Sequence, residues 1–187
     1  MSRDHLFNHI DQYSDIVHIF HQESDRAAAI LAASYLEVLL EQVLRTKFID
    51  NPVVDDLFTG NGAASTFSSR ISLCLALGYI DEHSYRDLTL VRRIRNHFAH
   101  NIDTASFEDP EVRDRCSQFW IVKKSIECGQ AHELPADARS QFLISVGSMN
   151  LRIIVEFRDE WLKRFGIVMP TPDEIRTMSE NADSGKQ

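Results

Sequence analysis

Asp81-Glu82-His83-Ser84-Tyr85-Arg86-Asp87-Leu88-Thr89-Leu90-Val91-Arg92-Arg93-Ile94-Arg95-Asn96-His97-Phe98-Ala99-His100-Asn101 is the stretch on which the reading of this chain turns. Apolar residues return at three- and four-residue spacing. With about 100° of rotation per residue, Leu88, Val91, Ile94 and Phe98 fall into one stripe fit to face a core. Arg92, Asn96 and His100 stack on another face, with Arg95 beside it. The segment is predicted to be a single helix with cations, an amide and imidazoles gathered at its C-terminal end.

Those side chains carry the chemistry, if there is any. Arg95 is a permanent planar cation, Asn96 an amide and His100 an imidazole that titrates near neutral pH, so together they can hold a phosphate and move a proton. The structural alternative needs no ligand. Arginine and histidine in a last helical turn are favoured by the partial negative charge of the carbonyl end, by about 0.3–1 kcal/mol each. In that reading Asn96 and His100 bond nearby backbone, and Arg95 pairs with an acid inside the fold.

Upstream, Ser24 with Asp25 behind it reads as the start of a helix running to about Lys47. Leu31, Tyr35, Leu39 and Val43 form one stripe, widened by Ala28, Ala32, Leu36 and Leu40, so this helix is expected at the centre of a bundle. Its apolar run is interrupted by Glu37, Glu41 and Gln42, which marks a core helix and not a membrane span. Asn51-Pro52 and Thr59-Gly60-Asn61-Gly62 are turn signals around a short apolar turn containing Val53, Val54, Leu57 and Phe58. The glycines lack the Gly-Lys-Ser/Thr ending of a phosphate loop, so they are a connector. Ser65 or Thr66 opens the next helix, with Phe67, Ile71, Cys74 and Leu75 inward, Arg70 on its polar side and Gly78 at its end. This helix and the next resemble a helix-turn-helix, but the second opens with Asp81-Glu82, acids that would repel DNA where phosphates should sit.

Farther out, Leu6, Phe7, Ile10, Tyr13, Val17 and Phe20 predict an N-terminal helix or helix pair over 4–22. Downstream, Asp109-Pro110-Glu111 sets up a cap for one short helix carrying Val112, Cys116, Phe119 and Trp120. Pro135-Ala136-Asp137 introduces a last long helix, with Phe142, Val146, Met149, Ile153, Val155, Phe157 and Trp161 inward, ending at Gly166. No stretch alternates long enough to make a strand. The prediction is an all-α fold, one bundle of five to seven helices over residues 1–169, followed by a tail, 170–187.

The 187 residues are 43% hydrophobic and 26% charged, which excludes a disordered chain. A net charge of −8 opposes broad attraction to nucleic acid. From Asp81 to His100 the balance is +1, four arginines against three acids, which is a local reversal of sign and not a basic stripe. Cys74, Cys116 and Cys128 are an odd set with no tight pairing, which fits a reducing cytoplasm. Cys128-x-x-x-His132 offers two metal ligands where a structural zinc needs four, so no metal or cofactor is expected.

Arg95-Asn96-x-x-x-His100 matches the Arg-x4-6-His signature of the HEPN superfamily of small helical domains, many of them metal-independent endoribonucleases. Phe67-Ser68-Ser69-Arg70-Ile71, Leu77-Gly78-Tyr79-Ile80, Asp87-Leu88 and Val91 to His100 together resemble the mannitol operon repressor family over about residues 25 to 165. That resemblance implies a HEPN-like helical bundle and a regulator that represses transcription. The charge balance argues that it works through protein partners and not by reading DNA. The binding surface is expected among Arg70, Arg92, Arg95, Asn96, His97 and His100. The HEPN resemblance implies the alternative, a ribonuclease acting on RNA in a homodimer, with Arg95 stabilising the phosphorane, His100 moving the proton and Asn96 orienting them.

Overall fold

The computed structural model describes residues 20–101, 105–130 and 134–164, with side chains as far as Val155. Its compact units are 1–154 and 155–187, and the first holds the core and every helix but the C-terminal part of the last. The helices are α1 (Asp25–Arg45), α2 (Val53–Phe58), α3 (Phe67–Ala76), α4 (Glu82–His100), α5 (Pro110–Ser117), α6 (Trp120–Glu127) and α7 (Ala138–Arg164). The fold is all-α, and no strand occurs among the described residues. Nearly all of the N-terminal helix expected over 4–22, together with His132, Gly166 and the tail 170–187, falls outside the described residues.

α1 begins where the serine signal put it: the Ser24 hydroxyl accepts the Ala27 N–H. It packs against both α3 and α4, which also pack on each other, so these helices form the heart of the bundle. Its buried side is Ala28, Ala29, Ala32, Ala33, Leu36, Leu39, Leu40, Val43 and Leu44. Leu31, expected inward, is 42% exposed and Tyr35 is half-buried. The small alanines let the neighbouring helices approach closely, and that rotates the wetted side toward Leu31, Ser34 and Val38.

α2 is a short helix where the sequence suggested a turn, and its Val54 and Phe58 are buried. The return from it is tight: a Cβ on Gly62 would lie 2.1 Å from the Asp56 carbonyl oxygen, so only glycine fits. Thr66 then caps α3 in a reciprocal box with Ser69. The helix ends at a left-handed Gly78, where Tyr79 N–H reaches the Cys74 carbonyl and Gly78 N–H the Leu75 carbonyl. Asp81 caps α4 by accepting Ser84 N–H at 2.8 Å. Leu88, Val91, Ile94 and Phe98 are fully buried, as their spacing predicted.

The single helix expected after Pro110 is two. α5 stops at Ser117 and α6 starts at Trp120, with buried Phe119 between them. Asp109 precedes α5 without capping it through its side chain, which is engaged elsewhere. α7 is capped by Asp137 through Ser140 N–H and buries Phe142, Val146, Met149 and Ile153. Val155, expected inward with them, is 41% exposed. A run of rings joins these parts: Phe98 to Phe107 at 5.0 Å, Phe107 to Phe142 at 5.3 Å and Phe142 to Phe119 at 6.2 Å. Asp25 closes the arrangement by accepting Phe107 N–H and pairing with Arg139.

Candidate functional site

The polar residues of the α3–α4 region separate into three environments. The first is inward. Glu37 and Glu41 stand one turn apart on α1, so the fold must neutralise two like charges on one helix face. Arg70 of α3, 7% exposed, does most of this. Its Nη2 lies 2.8 Å from Glu41 Oε2, its Nη1 3.8 Å from Glu37 Oε1, and its Nε donates to the Ala64 carbonyl at 2.8 Å. Arg45 bonds Glu41 at 2.8 Å and Asp55 at 2.7 Å, and its guanidinium covers the Phe58 ring. Burial opposes the Arg45 charge, but the hydrogen bonds to Glu41 and Asp55 outweigh it and raise its pKa.

Arg95 joins the same network from α4. Its Nη2 is 3.3 Å from Glu37 Oε2, while its Nε is buried with no partner. Arg70 and Arg95, both expected on a binding surface, thus spend their guanidinium groups on α1. Glu37 and Glu41 were legible only as interruptions of an apolar run. Two acids at i and i+4 in an otherwise buried helix are the signal that arginines must converge there.

The second environment lies on the opposite flank of α4. His97 Nε2 is 2.9 Å from Asp109 Oδ2, and its Nδ1 is 3.3 Å from Glu111 Oε2. Glu111 is also bonded by Arg115. The bond to His97, with the Ser106 N–H beside it, holds the Asp109 carboxyl below its ordinary range. This imidazole anchors the start of α5 to α4.

The third is the outward stripe. Arg92 and Asn96 are half-buried, while Arg93 and His100 are exposed. Among the described residues none of the four has a hydrogen-bond or ion-pair partner; Arg93, missed from the sequence, belongs with them. Arg45, Arg70, Arg86, Arg95, Arg115, Arg139 and Arg152 are all paired with acids. Arg92 and Arg93 are thus adjacent cations with no acid partner among the described residues, in a chain of net charge −8. Arg95 and His100, five residues apart, point about 140° apart around the helix. Within one copy they do not share a pocket. No cluster of potential metal ligands occurs among the described residues.

The family assignment comes from comparison with known proteins. A family profile described as "Mannitol repressor" matches residues 2–157. The chain belongs to the mannitol repressor family. Solved structures share the fold. MtlR from Escherichia coli, solved in a complex with HPr, superposes with a TM-score of 0.60 at 19% identity, covering 76% of this chain and 98% of that one. YggD from Shigella flexneri, described as a possible transcriptional regulator, gives a TM-score of 0.52 at 18% identity, over 79% of this chain and 96% of that one. A search of curated proteins returns no match. The mannitol repressor family is one of transcriptional regulators, which is the coarse function of this chain.

Proposed function

We propose that this mannitol repressor family member regulates transcription in the cytoplasm through a protein partner, which docks on the outward stripe of α4. The observation that carries the reading is the set Arg92, Arg93, Asn96 and His100, reachable by solvent and without a partner among the described residues, beside Arg70 and Arg95, which are paired with acids of α1. Arginines without an internal ion pair have none to break when they meet an acidic protein surface, and their charge steers its approach. A second copy of this chain is a poorer occupant of the stripe, because a two-fold contact would set the same arginines against each other. DNA is disfavoured by the charge of −8 and by the acidic Asp81-Glu82 opening of α4. The E. coli MtlR, solved with a protein bound, supports contact with protein as a mode open to this fold.

The test is titration calorimetry of purified E. coli HPr into the wild type and into Arg92→Glu/Arg93→Glu. Reversing two charges is expected to weaken binding by at least tenfold while leaving the melting temperature unchanged. Equal affinity in both proteins refutes the stripe as the docking face. A complex with its operon's promoter DNA that survives competitor DNA and depends on salt refutes the protein-contact reading itself.

A further inference from the structure

α6 is held lightly. Val122 is the residue of this helix that is buried, whereas Trp120 and Ile126 are 41% and 58% exposed. Its first turn is fastened by a side chain from a different helix. Both carboxylate oxygens of Asp87, on α4, accept the Trp120 N–H at 3.1 Å, and Phe119 supplies no cap of its own. Asp87 is 7% exposed, and among the described residues it has no other hydrogen bond.

The charged and titratable groups around this carboxylate come from each side. His83 and Asp81 belong to α4 and its cap, Lys123 to α6, and Arg152 to α7. Arg152 is already paired with Asp81 at 2.9 Å. The His83 ring lies against the Trp120 ring with centroids 5.9 Å apart. A cavity of about 50 Å³, lined by His83, Ser84, Asp87, Trp120, Ser145 and Arg152, lies open beside the carboxylate. It is large enough for a water molecule and too small for an organic ligand, so it gives protons a route to Asp87.

We propose that Asp87 is a proton-operated clasp on α6: ionised, it lets the first turn of α6 lift from α4, and protonated, it seats that turn. An ionised carboxylate held out of water by a single N–H donor is under-compensated. Burial is the larger influence, the Trp120 N–H opposes it, and the result is an acid pushed up from 3.8 to about 6. The closed state therefore binds the proton more tightly than the open one. Opening becomes harder as pH falls from 6 toward 4 and levels off at its easiest above 6, where both states are ionised. Full rehydration on opening would make the two states differ by roughly a hundredfold, and the water already reaching the cavity reduces this to roughly tenfold. Lifting the turn uncovers Val122 beside Trp120 and Ile126, an apolar surface that the closed state lacks.

The measurement is hydrogen exchange of the full chain from pH 5 to 8, corrected for intrinsic chemistry and read on the peptide covering Trp120 to Lys123. Protection in the wild type is expected to drop about tenfold or more with a midpoint near 6. Asp87→Asn keeps an oxygen for the Trp120 N–H and has no charge, so it should stay protected throughout. His83→Gln removes a neighbouring charge that lowers the Asp87 value, so its transition should persist with the midpoint at or above that of the wild type. A flat wild-type profile, a transition surviving in Asp87→Asn or a transition abolished in His83→Gln overturns the proposal. Should Asp87→Asn fail to fold, the wild-type carboxyl carbon of Asp87 can be titrated by NMR. A midpoint near 6 supports the clasp and one below 4.5 refutes it.

Discussion

Replacing Arg70 with alanine separates the internal use of the cations from their external use. The guanidinium binds the Ala64 carbonyl at 2.8 Å, the Glu37 carbonyl at 3.3 Å and the Glu41 carboxylate at 2.8 Å. Truncation leaves the buried Ala64 carbonyl without its side-chain donor, at a cost of about 1–3 kcal/mol. Glu37 and Glu41 lose a counter-charge but keep Arg95 and Arg45 respectively, and both are about a quarter exposed. Their penalty is therefore nearer 1 kcal/mol than the 3–5 kcal/mol of a fully enclosed pair. The side-chain stem loses its packing near Phe58, about 1 kcal/mol more. The sum is about 4 kcal/mol, or roughly 8–16 °C in melting temperature for a chain of this size. Arg70→Lys should recover little of it, since one ammonium cannot reach three acceptors spread around a planar fork. Urea unfolding followed by circular dichroism measures these changes. By contrast, Arg92→Ala and Arg93→Ala should stay within about 0.5 kcal/mol of wild type. If Arg70→Ala costs less than about 1 kcal/mol, or the double alanine variant of the stripe costs more than about 2 kcal/mol, the division into inner and outer cations is refuted.

Gly62→Ala should cost about 2 kcal/mol or more, read in the same unfolding assay, because the new methyl meets the Asp56 and Leu57 carbonyl oxygens at 2.1 and 2.4 Å. Burial pushes the Cys74 and Cys116 thiols up to about 12, whereas Cys128 is exposed. A thiol reagent should thus modify Cys128 rapidly in the folded protein and reach the other two only on unfolding. Stability should peak at about pH 4. Asp87, with its folded pKa raised to about 6, gives stability that declines as pH rises from 3.8 through 6. Asp81, Asp109 and Asp137, with folded values lowered, give stability that is present above 3.8 and lost on further acidification. A scan of melting temperature against pH tests this, and Asp87→Asn should remove the neutral-side decline.

Helix positions were legible because local chemistry specified them. Ser24, Thr66 and Asp81 each accept a backbone N–H at a helix start, and the Leu88-Val91-Ile94-Phe98 spacing is a property of the helix alone. The break at Phe119 was not legible, since the group that supports the new helix start is Asp87, 33 residues away in sequence. Charge placement failed for the same reason. Arg70, Arg92 and Arg95 look alike along the chain, and only the approach of Glu37 and Glu41 from another helix turns two of them inward. His97 and His100, three residues apart, divide because α5 brings Asp109 and Glu111 to one side of α4, where they meet His97 alone.

The acidic pair on α1 also bears on how the chain reaches this state. α1 is long and apolar enough, by length and composition, to cross a bilayer. Its two carboxylates are matched by arginines at positions 45, 70 and 95, of which only the first is local. Glu41 has Arg45 on its own helix, whereas Glu37 has no arginine until α3 and α4 bring Arg70 and Arg95 to it. A long apolar helix is thereby given a half-buried charge that only the complete bundle neutralises.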